Sequence, residues 1–186
     1  IGKSLAQRGL LKCLPDKAYL SILYRATLGK KMQWKAPKTF NEKLQWLKLY
    51  DRNPVYTTMV DKFEAKQFAA QLIGEQYVVP LLGGPWERFD QIDFDALPDQ
   101  FVLKTTHDCG GVLICKDKNT LDYQAAKNFI QEHLRRNYYL SCREWPYKNV
   151  PPRILAEEYL ENSAGDALTD YKFFCFNGEA KVMYIG

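Results

Sequence analysis

Apolar residues recur at helical spacing in the N-terminal part of the chain. Residues 1–30 are predicted to contain a helix, because apolar side chains stand three or four positions apart there. These side chains are Leu20, Leu23, Tyr24 and Leu28. The segment is also basic, so it either packs as a helix on the body of the protein, which we favour, or makes a peripheral membrane contact.

A second helix is predicted to begin at Thr39, because Thr39 and Glu42 fit a capping box. In this motif each of the two side chains accepts a hydrogen bond from the backbone N–H of the other residue. We expect the helix to turn its apolar side chains toward the core. These side chains are Leu44, Trp46 and Leu47.

A third helix is predicted over residues 56–73. Asn53-Pro54 separates it from the second helix, because proline interrupts helical hydrogen bonding. Val60, Phe63 and Phe68 stand among charged neighbours, and Gly74 is a natural stop.

Beyond Gly74 the pattern changes to short β-prone runs joined by turn residues. Gly83-Gly84-Pro85 is predicted to form a turn, and Asn177-Gly178 a hairpin turn. A further helix is predicted over residues 121–137. The predicted strands cover residues 77–82, 101–104, 112–115, 154–160, 170–176 and 181–185. The fold class expected is therefore α/β, of the α+β type, with an N-terminal helical region.

Composition indicates a globular protein without a nucleic-acid partner. The 26 Lys and Arg residues exceed the 22 Asp and Glu residues only slightly, and the net charge is +4. Nucleic-acid binders usually concentrate basic residues more strongly. A small anion such as a phosphate ester is compatible with this charge.

The cysteines do not indicate a metal site or a disulfide framework. There are 5 of them, an odd number, and no two are spaced as Cys-x-x-Cys. We therefore expect a reducing, cytoplasmic location. No apolar run approaches the roughly 18 residues that a membrane span requires.

Lys104 and the glycine loop after it are the first candidate binding site. Lys104 shares a face of its predicted strand with Val102, so its ammonium group can anchor an anion in a cleft. Gly110 and Gly111 allow backbone N–H groups to approach phosphate oxygens closely. The alternative is an exposed strand lysine followed by an ordinary turn.

Three other short segments could line the same cleft. Residues 153–161 form an apolar strand that ends in Glu157-Glu158, and its backbone could meet the edge of a flat base. Asp170 and Lys172 are two positions apart and share a strand face, which suggests a polar cleft or a surface pair. Lys62, near a helix start, could reach a phosphate or be a solvated helix lysine.

The order and spacing of these segments resemble the ATP-grasp superfamily, and most closely its TupA-like branch, which is associated with polysaccharide and teichuronopeptide biosynthesis. The resemblance runs from about Lys38 to the last residue. The four blocks that carry it are KTFNEKLQWLKLYDRNPVYTTMVDK, FVLKTTHDCGGVLIC, PPRILAEEYLE and DYKFFCFNGEAK.

The resemblance implies that Lys62 and Lys104 grip the nucleotide phosphates. Residues His107 to Gly111 match the flexible loop that closes over them, including Gly110. Cys109 stands where a serine is common in such loops, so a hydroxyl donor is missing and the backbone N–H groups supply more of the phosphate contacts. His107 is also a candidate catalytic residue.

The resemblance further implies that residues 157–160 form the adenine hinge, with Asp170 as the ribose contact. Lys172 occupies a position from which related enzymes reach phosphate or acyl-phosphate, and it is the second catalytic candidate. The hinge consists of Glu157, Glu158, Tyr159 and Leu160.

ATP and Mg²⁺ are the expected cofactors, but the metal ligands are not assigned. Mg²⁺ prefers hard oxygen ligands, which the family supplies later in the fold than Gly186. Asp170 and Glu179 are poor substitutes. We therefore expect the second ATP-grasp lobe to be incomplete in this chain, and the chain alone to be inactive.

The expected function of the intact protein is an ATP-dependent carboxylate–amine ligase of surface polysaccharide biosynthesis, acting through an acyl-phosphate on a glycan or sugar-acid acceptor. The alternatives are a kinase or glycosyltransferase acting on a polysaccharide, and a non-enzymatic partner-binding module. Trp145 to Tyr147, with Lys148, could touch a sugar face or simply pack.

Four segments are expected in the chain. They are an N-terminal helical region over 1–56, a helix–strand pre-ATP-grasp segment over 57–100, the first ATP-grasp lobe over 101–153, and the start of the second lobe over 154–186.

Overall fold

The computed structural model describes residues 13–161 and 168–186. Its N-terminal part is helical, as predicted, and the rest combines further helices with two antiparallel sheets, so the α+β class is confirmed. The predicted helix within residues 1–30 is confirmed as α1, while residues 1–12 lie outside the described part. The first four helices are α1 (Asp16–Leu28), α2 (Phe40–Tyr50), α3 (Val55–Val60) and α4 (Lys62–Ile73).

Helix α1 packs on the body of the protein through Tyr19, Leu20 and Tyr24, which are buried. Tyr19 also donates a hydrogen bond from its hydroxyl to the carbonyl oxygen of Ser141, at 2.9 Å. Leu28 was expected on the same face but is exposed, because it is the last helical residue before the left-handed Gly29.

Helix α2 begins at the predicted capping box, since Thr39 and Glu42 exchange both hydrogen bonds. The prediction for its apolar side chains is wrong. Glu42 is the buried residue of this helix, whereas the three expected inward are exposed. Apolar spacing shows that a helix has an apolar face, but it does not show that another element covers that face. The exposed side chains are Leu44, Trp46 and Leu47.

The single helix predicted over residues 56–73 is two helices, because the backbone leaves helical geometry at Asp61. Asp61 has an extended conformation and accepts hydrogen bonds from the backbone N–H groups of Phe63 and Glu64. It is therefore the N-cap of α4, which places Lys62 at the first position of that helix.

The central sheet has four antiparallel strands in the order β1-β4-β2-β3. Its strands are β1 (Leu81–Trp86), β2 (Phe101–Thr105), β3 (Val112–Cys115) and β4 (Ile154–Glu158). The strand expected at the start of the second lobe, β4, thus lies between β1 and β2. The second sheet is built by strands that follow residue 170.

Strand β1 differs from its prediction, since residues 77–82 were expected as a strand and Gly83-Gly84-Pro85 as a turn. The strand instead continues through these three residues, with irregular pairing to β4. Gly84 has a φ of 104°, and a Cβ there would lie 2.8 Å from the carbonyl oxygen of Ile154. The glycine therefore permits a close approach of two strands, not a chain reversal.

One face of the central sheet packs against helix α5 (Tyr123–Leu134). Phe101 and Leu103 of β2 and Ile154 and Ala156 of β4 belong to the same buried hydrophobic cluster as Ile130 of this helix. Alternation along β2 places Lys104 on the opposite face. The helix predicted over 121–137 ends at Leu134, and α6 (Tyr138–Cys142) follows separately.

The last two strands, β5 (Tyr171–Phe176) and β6 (Glu179–Ile185), form the predicted hairpin as a separate two-stranded sheet. Asn177 and Gly178 both have positive φ, of 52° and 80°, as the turn requires. The side chains of both strands are exposed, including Phe173 at 59%. None of the helices within the described residues has the length and apolar character to span a membrane.

Candidate functional site

Lys104 lies on the face of the central sheet that α5 does not cover, where it pairs with Glu157. The neighbouring strand supplies this partner, since Glu157 of β4 is opposite Val102 in the register. Glu157 is buried, with a side chain 5% exposed, and its other oxygen lies 3.0 Å from Nζ of Lys66. Two ammonium groups therefore share one buried carboxylate.

Lys62 reaches the same region from the start of α4. Its Nζ donates hydrogen bonds to the carbonyl oxygens of Thr105, at 2.8 Å, and Asp108, at 2.5 Å. Burial lowers the pKa of Lys62, the Asp108 charge offsets this in part, and the nearby Lys104 lowers it further. The two lysines predicted to grip phosphates are thus close enough to influence each other.

The loop between β2 and β3 is fixed by polar contacts beneath it. Asp108 accepts hydrogen bonds from the hydroxyl of Thr105 and from Nδ1 of His133. Gly111 is buried against this group, and a Cβ there would lie 1.8 Å from Oγ1 of Thr105. Glycine is therefore required at this position because the neighbouring side chains fill the space.

Burial alone would raise the pKa of Asp108, but the hydrogen bonds from Thr105 and His133 outweigh it and hold that pKa below its ordinary value. The ionised carboxylate is consequently part of the folded loop. His133 belongs to α5, and neither it nor this contact was predicted from the sequence. A polar residue within an amphipathic helix carries no signal of a partner 25 positions away.

The predicted phosphate loop divides into a buried base and an exposed tip. His107 and Asp108 are both 3% exposed, whereas Cys109 and Gly110 are exposed. Nε2 of His107 lies 3.1 Å from the carbonyl oxygen of Arg136, which directs the ring toward the protein interior. The tip residues are thus the ones open to a ligand.

Arg153 is a second residue that the sequence analysis did not assign. Its guanidinium pairs with Asp61 at 2.7 Å and Glu64 at 3.1 Å, and stacks over the ring of Phe63 at 5.2 Å. Burial opposes the charge of Arg153, but the hydrogen bonds to the two carboxylates outweigh it and raise the pKa. This cluster fixes the start of α4, and so the position of Lys62.

The predicted adenine hinge follows directly from the sheet. The backbone N–H of Glu158 donates to the carbonyl oxygen of Pro80 at 3.1 Å, so β1 already uses it. Tyr159 is half-buried, with Lys116 5.9 Å from its ring centroid, and Leu160 is exposed. The strand ends at Glu158, so Tyr159 and Leu160 are the hinge residues that lie beyond it.

A groove of about 570 Å³ lies between α4 and the segment leading into β1. Phe63, Pro80 and Leu81 give it apolar walls, and Gln67 adds an amide side chain. Lys66 also lines the groove, so the groove adjoins the carboxylate of Glu157.

Asp170 and Lys172 form an ion pair on the hairpin, with side chains 61% and 54% exposed. Among the residues that the structure describes, neither contacts the Lys104 group. The ring contact that the hairpin makes with the helical region joins Phe176 to Phe40, with centroids 6.3 Å apart.

The carboxylates weighed as substitute magnesium ligands, Asp170 and Glu179, lie at the β5–β6 hairpin. Asp170 and Glu179 each pair with a lysine of the hairpin, Lys172 and Lys181. Within residues 13–161 and 168–186, no group of three or more His, Cys, Asp or Glu side chains could hold a metal ion.

The aromatic stretch considered for a sugar contact is engaged within the protein. The Tyr147 ring packs edge-on against Tyr138, with centroids 4.7 Å apart, and Lys148 lies 5.4 Å from the ring centroid of Tyr139. Burial is the main cause that raises the pKa of Tyr147. It also raises the pKa of Tyr139, to about 12.

The free cysteines include Cys109 and Cys142, and the part of the chain described here contains no disulfide.

Comparison with known proteins supports the resemblance seen in the sequence. No curated protein and no solved structure matches the chain significantly. The family model described as TupA-like ATPgrasp matches residues 42–186, which is most of the chain and includes every element of the site. The chain therefore belongs to the TupA-like ATP-grasp family.

Proposed function

We propose an ATP-binding role and ligase-type chemistry for this protein, which membership of the ATP-grasp family supports in general. In particular, the protein binds ATP beside the face of its central sheet opposite α5 and contributes to an ATP-dependent carboxylate–amine ligase of surface polysaccharide assembly. In this reaction an acyl-phosphate forms on a glycan or sugar-acid carboxylate, and an amine then attacks it. The observation that carries the proposal is the convergence of Lys62 and Lys104 beside a glycine loop and a buried glutamate.

The charges of this group fit a polyphosphate. Lys62, Lys66 and Lys104 bring three positive charges, and the carboxylates of Glu157 and Asp108 offset two of them, so the group keeps a positive charge. The exposed tip of the loop, at Cys109 and Gly110, supplies backbone N–H groups over the same region. A triphosphate laid along this face would meet ammonium groups and backbone donors, which are the partners that phosphates require.

The groove beside Lys66 offers a place for the base. Its apolar walls at Phe63 and Leu81 and the amide of Gln67 combine a flat contact surface with a hydrogen-bonding group. The backbone at Tyr159 and Leu160, beyond the end of β4, continues from the same strand as Glu157. The proposal therefore places the base near Glu157 and the phosphates toward Lys104 and the loop tip.

The test is thermal unfolding with and without Mg-ATP, for the wild type, Lys104→Ala and Lys127→Ala. At about one hundred times the dissociation constant, a bound nucleotide adds about 2.7 kcal/mol to the free energy of unfolding. We expect this stabilisation in the wild type and in Lys127→Ala, whose lysine pairs with Asp90 outside the site. We expect most of it to be lost in Lys104→Ala.

Equal stabilisation of wild type and Lys104→Ala would contradict the proposed phosphate grip. Absence of stabilisation in the wild type would favour a partner-binding module. For the reaction, product analysis with the complete enzyme separates three outcomes. A ligase releases phosphate and forms an amide, a kinase leaves phosphate on the glycan, and a glycosyltransferase consumes a sugar nucleotide.

A further inference from the structure

Lys66 stands one turn after Lys62 on α4, and its ammonium group contacts two acceptors. Its Nζ lies 3.0 Å from Oε1 of Glu157 and donates to the carbonyl oxygen of Val79 at 2.5 Å. Its side chain is 15% exposed. The lysine is therefore fixed between β4 and the segment that leads into β1.

Lys104 contacts the other oxygen of the same carboxylate, but its side chain is more exposed than that of Lys66. Its side chain is 28% exposed, and Glu157 is its ion-pair partner among the described residues. Of the two lysines, Lys104 is thus the more open to the cleft and the less strongly fixed. One lysine can leave Glu157 more easily than the other.

A buried carboxylate that loses its counter-ion is strongly destabilising, since the charge then has neither water nor a partner. If Lys104 were the single partner of Glu157, any move of its ammonium toward a phosphate would leave that charge unpaired. Lys66 removes this obstacle, because its ammonium pairs with Oε1, the oxygen that Lys104 does not hold.

We propose that Lys66 is a positioning residue: it keeps Glu157 neutralised, so that Lys104 can transfer from the carboxylate to a nucleotide phosphate. This inference rests on the proposed function, because the phosphate belongs to the nucleotide. It assigns different roles to the two lysines: Lys66 is the permanent counter-ion of Glu157, and Lys104 is the exchangeable one.

The test measures the affinities of Mg-ATP and adenosine by calorimetry for the full chain and three variants, Lys66→Met, Lys66→Met/Glu157→Gln and Lys127→Met. The ratio of the two affinities reports on phosphate binding, because contributions from the base cancel. We expect Lys66→Met to lower this ratio about ten-fold, since Lys104 is then retained by Glu157. Lys127→Met should leave it unchanged.

The double variant separates positioning from a merely structural role. With a neutral Gln at position 157 nothing retains Lys104, so the ratio should return to within about two-fold of the wild type. A lysine needed only for folding would weaken ATP and adenosine equally, and the second substitution would not restore the ratio. Thermal unfolding of each variant establishes that it is folded.

A second measurement needs no nucleotide. An amine-specific acetylating reagent labels Lys104 at a rate that mass spectrometry can follow. A lysine that is the only partner of a buried carboxylate is held more firmly as an ammonium group, so it reacts more slowly. Lys66→Met should therefore slow the labelling of Lys104 several-fold, and the double variant should restore it.

The outcomes distinguish the two proposals. A wild type that binds Mg-ATP, with an unchanged affinity ratio in Lys66→Met, overturns the role of Lys66 and leaves the proposed function intact. A wild type that binds neither ligand overturns the proposed function, and the inference with it.

Discussion

His107 is a buried, titratable residue of the loop after β2. Its Nε2 faces the carbonyl oxygen of Arg136, and a carbonyl only accepts hydrogen bonds, so Nε2 carries the proton. Its Nδ1 is buried and has no hydrogen-bond partner among the described residues. Burial lowers the pKa of His107, and the Asp108 charge offsets this only in part. A second proton would place a charge inside the loop.

We expect His107→Gln to make stability less dependent on pH below about pH 7. The unfolded chain binds a proton at His107 near its ordinary pKa of about 6.5, whereas the folded protein binds it at lower pH. The unfolding free energy of the wild type therefore falls as the pH drops through this range, by up to about 1.4 kcal/mol for each unit of lowered pKa. Glutamine keeps an N–H for the Arg136 carbonyl and does not titrate.

Urea unfolding of both proteins at a series of pH values from about 7 to about 5 provides the measurement. The contribution of His107 is the difference between the two slopes, so other titrating groups cancel. Parallel curves would show that His107 does not supply this part of the pH dependence.

At the scale of elements, the start of α4 joins local capping to a long-range ion pair. Asp61 is 2% exposed, and it both caps the helix and pairs with Arg153. Because Lys62 is the next residue, this junction also determines where the ammonium group that we propose as a phosphate contact is held. The element therefore connects the helical region to the site.

We expect Asp61→Asn and Asp61→Ala to separate the two contributions. Asparagine keeps a capping oxygen and loses the charge opposite Arg153, which should cost about 1–3 kcal/mol of unfolding free energy. Alanine loses the cap as well, so it should cost about 1 kcal/mol more. Asp122→Ala, where Asp122 caps α5 by accepting from Ala125 at 2.9 Å, is the matched control for a cap alone.

Urea unfolding with the four proteins tests this order. If the two Asp61 variants were equally stable, the side-chain cap would contribute nothing, and the ion pair with Arg153 would account for the whole effect.

At the scale of the whole molecule, the two sheets differ in what covers them. The central strands β2 and β4 contain Leu103 and Ala156, both 0% exposed, and they pack against α5. The β5–β6 hairpin has exposed side chains on both faces. A two-stranded hairpin is at best marginally stable alone, because few apolar contacts oppose its opening.

We expect hydrogen exchange to be slowest in β2 and β4 and fastest, among the strands, in β5 and β6. Exchange measured by mass spectrometry or NMR on the full chain checks this order. Protection of the hairpin equal to that of β2 would show that some other surface covers it.

The sequence predicted the features that depend on near neighbours. The capping box of Thr39, the Asn177-Gly178 hairpin and the shared face of Val102 and Lys104 all follow from local backbone geometry, and all are confirmed. Family resemblance, carried by four short blocks, is confirmed as well. The placement of site residues on a common nucleotide stays a prediction.

Only the tertiary structure decided the features whose partners are distant in the chain. The break at Asp61 involves Arg153, 92 positions away, and the loop at Asp108 depends on His133 of α5. The exposure of Leu44 likewise depends on what covers α2. Sequence spacing describes which side chains share a face, but burial and pairing depend on elements that the fold brings together, and these turn Lys104 and Glu157 into one site.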